Sequence, residues 1–179
     1  MLSSTGFDLW ADGYDRSVGL SDENDRYPFA GYRAMMNALY QRVLAQGGRD
    51  VLDIGFGTGV LTSRLYKQGC QICGQDFSAR MIELAQVKMP DAQLYQGDFS
   101  KGLVPELRTL LPLLKADGCL FIGDVAFRTR GELEACRNAA GSEWDEDEIY
   151  FVYDELRPHF PTLTFESFSH CTALLTLRK

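Results

Sequence analysis

No apolar run in the 179 residues approaches the ~20 that a membrane-spanning helix needs, so a helical anchor is not expected. The opening residues, MLSSTGFDLWADGYD, lack a basic stretch followed by an apolar core, which argues against a secretory signal. Basic charge is scarce: Lys plus Arg is 18 against 25 for Asp plus Glu, giving net charge -7. Nucleic-acid binders carry a basic footprint, and polyanionic partners are therefore disfavoured. Cysteines are few and odd in number, at Cys70, Cys73, Cys119, Cys136 and Cys171. Their scatter does not describe a disulfide framework, and the expected location is a reducing one, the cytoplasm. Cys70 and Cys73 have CxxC spacing but fall in a predicted strand, where side chains three apart face opposite ways. They read as buried small hydrophobes, and no metal site is expected. Repeats, low-complexity tracts and interdomain linkers are also missing. At 45% hydrophobic and 24% charged residues, the composition is that of a soluble globular chain. The expectation is one domain over 1–179, with a cap and helix at 1–46 and a sheet core at 47–179.

What is present alternates between strands and helices. Residues 1–26 are polar, rich in Asp, Ser and Gly, and read as irregular. Residues 29–46 read as a helix closed by Gly47 and Gly48. Strands are predicted at 51–54, 70–75, 92–95 and 119–123, and helices at 60–68, 78–88, 104–115, 130–140 and 149–157. Ser78 is placed as an N-cap. Two closing strands, about 162–168 and 171–178, read as an antiparallel hairpin. Strand–helix alternation predicts an α/β fold: a doubly wound, mostly parallel sheet with helices on both faces and an antiparallel C-terminal edge hairpin.

Chemistry concentrates where these strands end. Val51-Leu52-Asp53-Ile54 runs straight into Gly55-Phe56-Gly57-Thr58-Gly59 and then a helix. Glycines at alternate positions let the backbone turn sharply and leave room for a ligand above the strand end. The helix that follows offers free N–H groups to a polar ligand. A glycine turn alone is weak evidence, since a tight strand–helix connection explains it equally well. The next strand ends in Gln75-Asp76-Phe77-Ser78, with Asp76 17 residues beyond Gly59, a position from which an acid accepts hydrogen bonds from ribose hydroxyls. The third ends in Gln96-Gly97-Asp98-Phe99. Three consecutive strands thus carry a polar or glycine signal on one side of the sheet.

These motifs resemble those of class I S-adenosylmethionine-dependent methyltransferases, whose fold is Rossmann-like. VLDIGFGTG is similar to that family's first motif, QDFS to its second and GDFS to its third. LLPLLKADGCLFIGDVAF resembles a later helix, turn and strand, and FDLWADGYD a segment that covers the cofactor. The chain looks closest to small bacterial members whose substrate is unassigned. The resemblance implies that Gly55, Gly57 and Gly59 pass under the methionine part of S-adenosyl-L-methionine. It implies that Asp53 steadies the turn and reaches the cofactor amino group through water. Asp76 would bind both ribose hydroxyls, and Phe77 would pack on the adenine. Asp98 would accept from the adenine amino group, with Phe99 beside the ring. Tyr14 and Trp10 would close the pocket from above. The expected activity is methyl transfer to a small-molecule acceptor.

One departure bears on catalysis. In the resembled family a fourth strand separates the GDFS-type motif from the next glycine turn. Here only Ser100 to Asp117 intervenes, and it reads as a single helix. For a continuous chain, direct pairing of the strands at 51–54 and 119–123 is then expected. The residues that would face the acceptor are reduced, which keeps open a non-catalytic S-adenosylmethionine-binding protein. His159, between Pro158 and Phe160, reads as a loop residue and His170 as a surface residue of the hairpin turn, so no catalytic base is identified. Transfer from a sulfonium needs one only if the acceptor arrives protonated. A nicotinamide-dependent oxidoreductase is disfavoured, because Val60 follows Gly59 and GxGxxG is not met.

Overall fold

The computed structural model describes residues 4–98, 103–146 and 148–179, with side chains from residue 13 onward apart from 103. The elements run α1 (Ser4–Glu23), α2 (Tyr32–Ala45), β1 (Asp50–Ile54), α3 (Thr62–Lys67), β2 (Gln71–Asp76), α4 (Ala79–Lys88), β3 (Gln93–Gln96), α5 (Leu103–Leu110), β4 (Cys119–Phe127), α6 (Arg130–Ala140), β5 (Phe151–Val152), α7 (Tyr153–Leu156), β6 (Thr164–Ser167) and β7 (Thr172–Arg178). The fold is α/β, with a parallel sheet, helices and an antiparallel edge. Two compact units form: one from Leu2–Ser17 with Tyr40–Ser100, the other from Val18–Leu39 with Lys101–Lys179.

The first unit is built on a parallel sheet in the order β1-β2-β3. Asp50–Ile54 lies in register with Gln71–Gln75, and Cys73–Asp76 with Gln93–Gln96. Its core joins Phe56, Leu65, Cys70, Ile72, Ala85 and Met89, with Tyr40, Val43 and Leu44 of α2 packed against them. Parallel strands require helical crossovers, and here α3 and α4 supply them. Ser78 caps α4 as expected, its hydroxyl accepting from the Met81 N–H at 3.1 Å.

The second unit holds a sheet in the order β5-β4-β7-β6. β4 and β7 pair antiparallel from Cys119↔Arg178 to Val125↔Thr172, and β6 closes on β7 as the expected antiparallel hairpin. β5 runs parallel to β4 only at Ala126 and Phe127. Side chains alternate across a strand, so the sheet serves two cores. Ala126, Ala173, Leu175 and Leu177 pack with Leu107, Leu156, Phe160 and Leu163. Val125, Phe127 and Val152 pack with Leu133, Cys136 and Trp144. Tyr27 stacks on Trp144 with ring centroids 5.2 Å apart, and its hydroxyl meets that of Tyr150 at 2.5 Å. Met35 lies against Gly123, where a Cβ would sit 2.5 Å from its sulfur.

Three sequence expectations are corrected. Most of the segment expected to be irregular is helical, α1 occupying Ser4–Glu23. The helix expected at 149–157 is instead the short strand β5 followed by one turn, α7. The apolar, aromatic Phe151-Val152 finds a ladder on β4, and tertiary pairing outweighs local propensity. The pairing expected between 51–54 and 119–123 is absent: β1 pairs with β2, while β4 pairs with β7 and β5. Between β3 and β4 the described residues hold α5 and a 3-10 turn at Leu111–Leu113, and no strand.

Candidate cofactor-binding site

In the three-strand unit, β1 ends at Ile54 and the chain turns through Gly55, Gly57 and Gly59 with φ of +73°, +55° and +74°. L-residues with a Cβ disfavour this left-handed region. At Gly59 there is a second demand: a Cβ would lie 3.1 Å from the Met89 methyl carbon and 3.3 Å from the Ala85 Cβ. Glycine here lets α4 close onto the turn.

The turn is tied to the end of β2. The Gly57 N–H donates to Asp76 Oδ2 at 2.8 Å, and the Ser78 N–H donates to Asp76 Oδ1 at 2.9 Å. Asp76 is buried, at 5% exposure. Backbone amides therefore stand where a lone buried carboxylate would otherwise be costly. Tyr14, on α1, comes to the same place, with its Cε1 3.9 Å from where a Gly57 Cβ would be. Tyr14, Gly57 and Asp76 are thus brought together.

Asp53 lies on β1, two residues before Gly55. The Thr62 hydroxyl at the start of α3 donates to Asp53 Oδ2. Burial pushes the Asp53 carboxyl above the ordinary carboxylate range, the Thr62 bond opposes that, and the nearby Asp76 charge adds to it. The ends of β2 and β3 are knitted by Gly97 N–H to Asp76 O at 2.9 Å and Gln96 Nε2 to Phe77 O at 3.1 Å. Phe77 is half-buried and Asp98 exposed. Phe99 and the side chain of Trp10 lie outside the described residues. His159 follows α7, and His170 sits between β6 and β7 with its Nδ1 4.0 Å from Asp25 Oδ1.

Sequence reasoning missed three residues around the turn. Thr58, 3% exposed, donates its hydroxyl to Asp15 Oδ1 at 2.6 Å. Lys88 Nζ donates to the Thr58 carbonyl at 2.8 Å and pairs with Asp15 Oδ2 at 3.7 Å. The only available signal was the adjacency of Asp15 to Tyr14 and of Thr58 to two site glycines. Among the described residues, no group of three or more His, Cys, Asp or Glu could hold a metal ion. No helix among them is long and apolar enough to cross a membrane.

Comparison with known proteins places this geometry in context. Residues 51–136 match the family described as a methyltransferase domain. An uncharacterized methyltransferase of Anoxybacillus flavithermus is 37% identical over 99 residues, covering 55% of this chain and 45% of that protein. One of Geobacillus kaustophilus is 40% identical over 100 residues, with the same coverages. The chain spans about half the length of the curated relatives it matches. Among solved structures, magnesium protoporphyrin IX methyltransferase from Synechocystis PCC 6803 with bound SAH superposes at TM-score 0.66 and 17% identity, covering 96% of this chain and 97% of that one. The plantazolicin methyltransferase BpumL superposes at 0.59 and 15% identity, covering 98% of each. The segment that matches the methyltransferase-domain family, residues 51–136, contains the glycine turn and the buried strand-end acid, and the solved structures share the α/β fold.

Proposed function

We propose that the chain binds S-adenosyl-L-methionine at the glycine turn and transfers its methyl group to a small-molecule acceptor. The observation that carries this reading is the Gly57 N–H to Asp76 Oδ2 bond at 2.8 Å. It joins a turn stripped of side chains to a buried acid at the next strand end, where ligands of open α/β sheets are held. The residues fit the cofactor's chemistry. Among the described residues, no atom lies within 4 Å of where a Gly55 Cβ would be, which leaves open space beside the turn. On this reading Gly55, Gly57 and Gly59 underlie the methionine moiety and Asp53 steadies them. Asp76 serves the ribose, Phe77 and Asp98 serve the adenine, and Tyr14 covers the site, with Trp10 and Phe99 in the roles the resemblance gives them. When bound, the sulfonium supplies an already activated methyl group. The protein's task is then alignment and exclusion of water.

A small acceptor is supported by the net charge of -7, which repels polyanions. It is also supported by the porphyrin named for one structural neighbour. Five free thiols suit a reducing compartment such as the cytoplasm. A second reading, a cofactor-binding protein without transfer activity, is favoured by one observation. Among the described residues no strand lies between β3 and β4, where the resemblance expects the acceptor side to be built.

Calorimetry with S-adenosylmethionine, S-adenosylhomocysteine and NADH tests the cofactor. Binding of the first two and silence with NADH is the expected result, and tight NADH binding alone would sink the proposal. A methyl-transfer assay over a metabolite panel separates the two readings, since turnover of any acceptor rules out the non-catalytic one.

A further inference from the structure

We infer that Asp15, Thr58 and Lys88 form a latch that fastens α1 over the glycine turn and sets how fast the nucleoside cofactor leaves. The inference rests on the reading that this turn holds S-adenosylmethionine. Two elements far apart in sequence, α1 and α4, converge on one residue of the turn. Thr58 lies between Gly57 and Gly59 and is 3% exposed. Its hydroxyl donates to Asp15 on α1 at 2.6 Å, and its carbonyl accepts from Lys88, the last residue of α4, at 2.8 Å. Lys88 and Asp15 close the triangle at 3.7 Å.

The chemistry of the triangle is that of a fastening that opens. Its anchor, Thr58, is buried. Its movable parts are wet: the Asp15 side chain is 51% exposed and that of Lys88 37%. A half-exposed ion pair is weak and screened by salt, while the hydroxyl-to-carboxylate bond is the stronger charge-assisted kind. What the latch positions is Tyr14, next to Asp15, whose ring lies against Gly57. The same backbone that would carry the methionine moiety therefore holds the helix that covers it. A ligand that shifts the turn shifts the catch, and release of the catch uncovers the turn.

The test uses the full chain, with Asp15→Ala and Lys88→Met as variants, both exposed positions where folding should survive. Amide exchange at residues 13–17 is read without ligand, and S-adenosylhomocysteine release is read by stopped flow. In Asp15→Ala, exchange at 13–17 should rise with β2 unchanged. Release should quicken about tenfold, the factor that corresponds to one lost charge-assisted bond. Lys88→Met should act in the same direction and less strongly, and added salt should narrow its difference from wild type. Unchanged exchange at 13–17 in both variants overturns the latch, as does faster exchange with unchanged release. A wild-type chain that binds no S-adenosylhomocysteine overturns the cofactor reading and the gate with it. Exchange then still shows whether α1 is fastened.

Discussion

Asp76 holds two backbone amides before any ligand arrives, those of Gly57 and Ser78. Its carboxylate shapes the turn, and on the proposed reading it also accepts from the ribose hydroxyls. Asp76→Ala is expected to weaken S-adenosylhomocysteine binding by about 1.5–3 kcal/mol, or roughly 10–150-fold in Kd by calorimetry. An unchanged Kd in a folded variant would remove Asp76 from the site. Asp53 tells a different story, because burial raises its carboxyl above the unfolded value. For an acid raised in the fold, the folded state binds the proton more tightly. Stability is therefore greatest below the unfolded value of 3.8 and declines as pH rises through the folded one. Asp53→Asn should raise Tm at neutral pH, with the advantage shrinking as the wild-type carboxyl becomes protonated in acid. Thermal melts across that range check this, and an advantage that does not vary with pH would refute it. The glycines and Asp76 were legible in the sequence because a strand end, a turn and an acid fall within a short stretch. Thr58 and its partners were not: Asp15 is 43 residues away and Lys88 30, and nothing local records such a pairing.

Elements with strong local signals emerged as read. α6 begins and ends where its pattern placed it, at Arg130 and Ala140. Its start is a capping box, with Thr129 accepting from the Glu132 N–H and Glu132 accepting from the Thr129 N–H. Thr129→Ala should cost about 1 kcal/mol of stability, seen as a lower urea midpoint with an unchanged slope. No change in midpoint would mean the box carries little of the helix's stability. α1 was illegible for a physical reason. It contains Gly6, Gly13 and Gly19, each costing about 1 kcal/mol in a helix interior. Contacts made elsewhere in the chain, including Asp15 to Thr58 and the burial of Val18, offset that cost. β5 failed from brevity, since a short apolar run fits a strand or a helix equally well until its partner is known.

At the scale of the whole molecule, the ladders form two sheets, each within one unit. The parallel signature was legible, but the separation into two ladders was not: among the described residues no strand stands between β3 and β4, and no local signal announces that. Within each sheet, protection should follow position. In the four-strand sheet β7 lies between β4 and β6, and its Ala173, Leu174, Leu175 and Leu177 are at most 1% exposed. Native-state hydrogen exchange should find the slowest amides there and in β2, with β3, β5 and β6 opening first. Faster exchange in β7 than in β6 would contradict this.

The order of pairing in that sheet also has a cost during synthesis. β4 takes β7 as its main partner, across seven register pairs, yet Phe127 and Thr172 are 45 residues apart in the chain. At ~5–20 residues per second on the ribosome, β4 waits roughly 2–9 s for the strand that covers it. Throughout that interval Leu120, Phe121, Ile122, Val125, Ala126 and Phe127 lack their β7 partner, and the opposite edge gains only β5, at Ala126 and Phe127. Such edges attract other chains, so chaperone capture of the half-made polypeptide should concentrate on β4 and end once β7 has emerged.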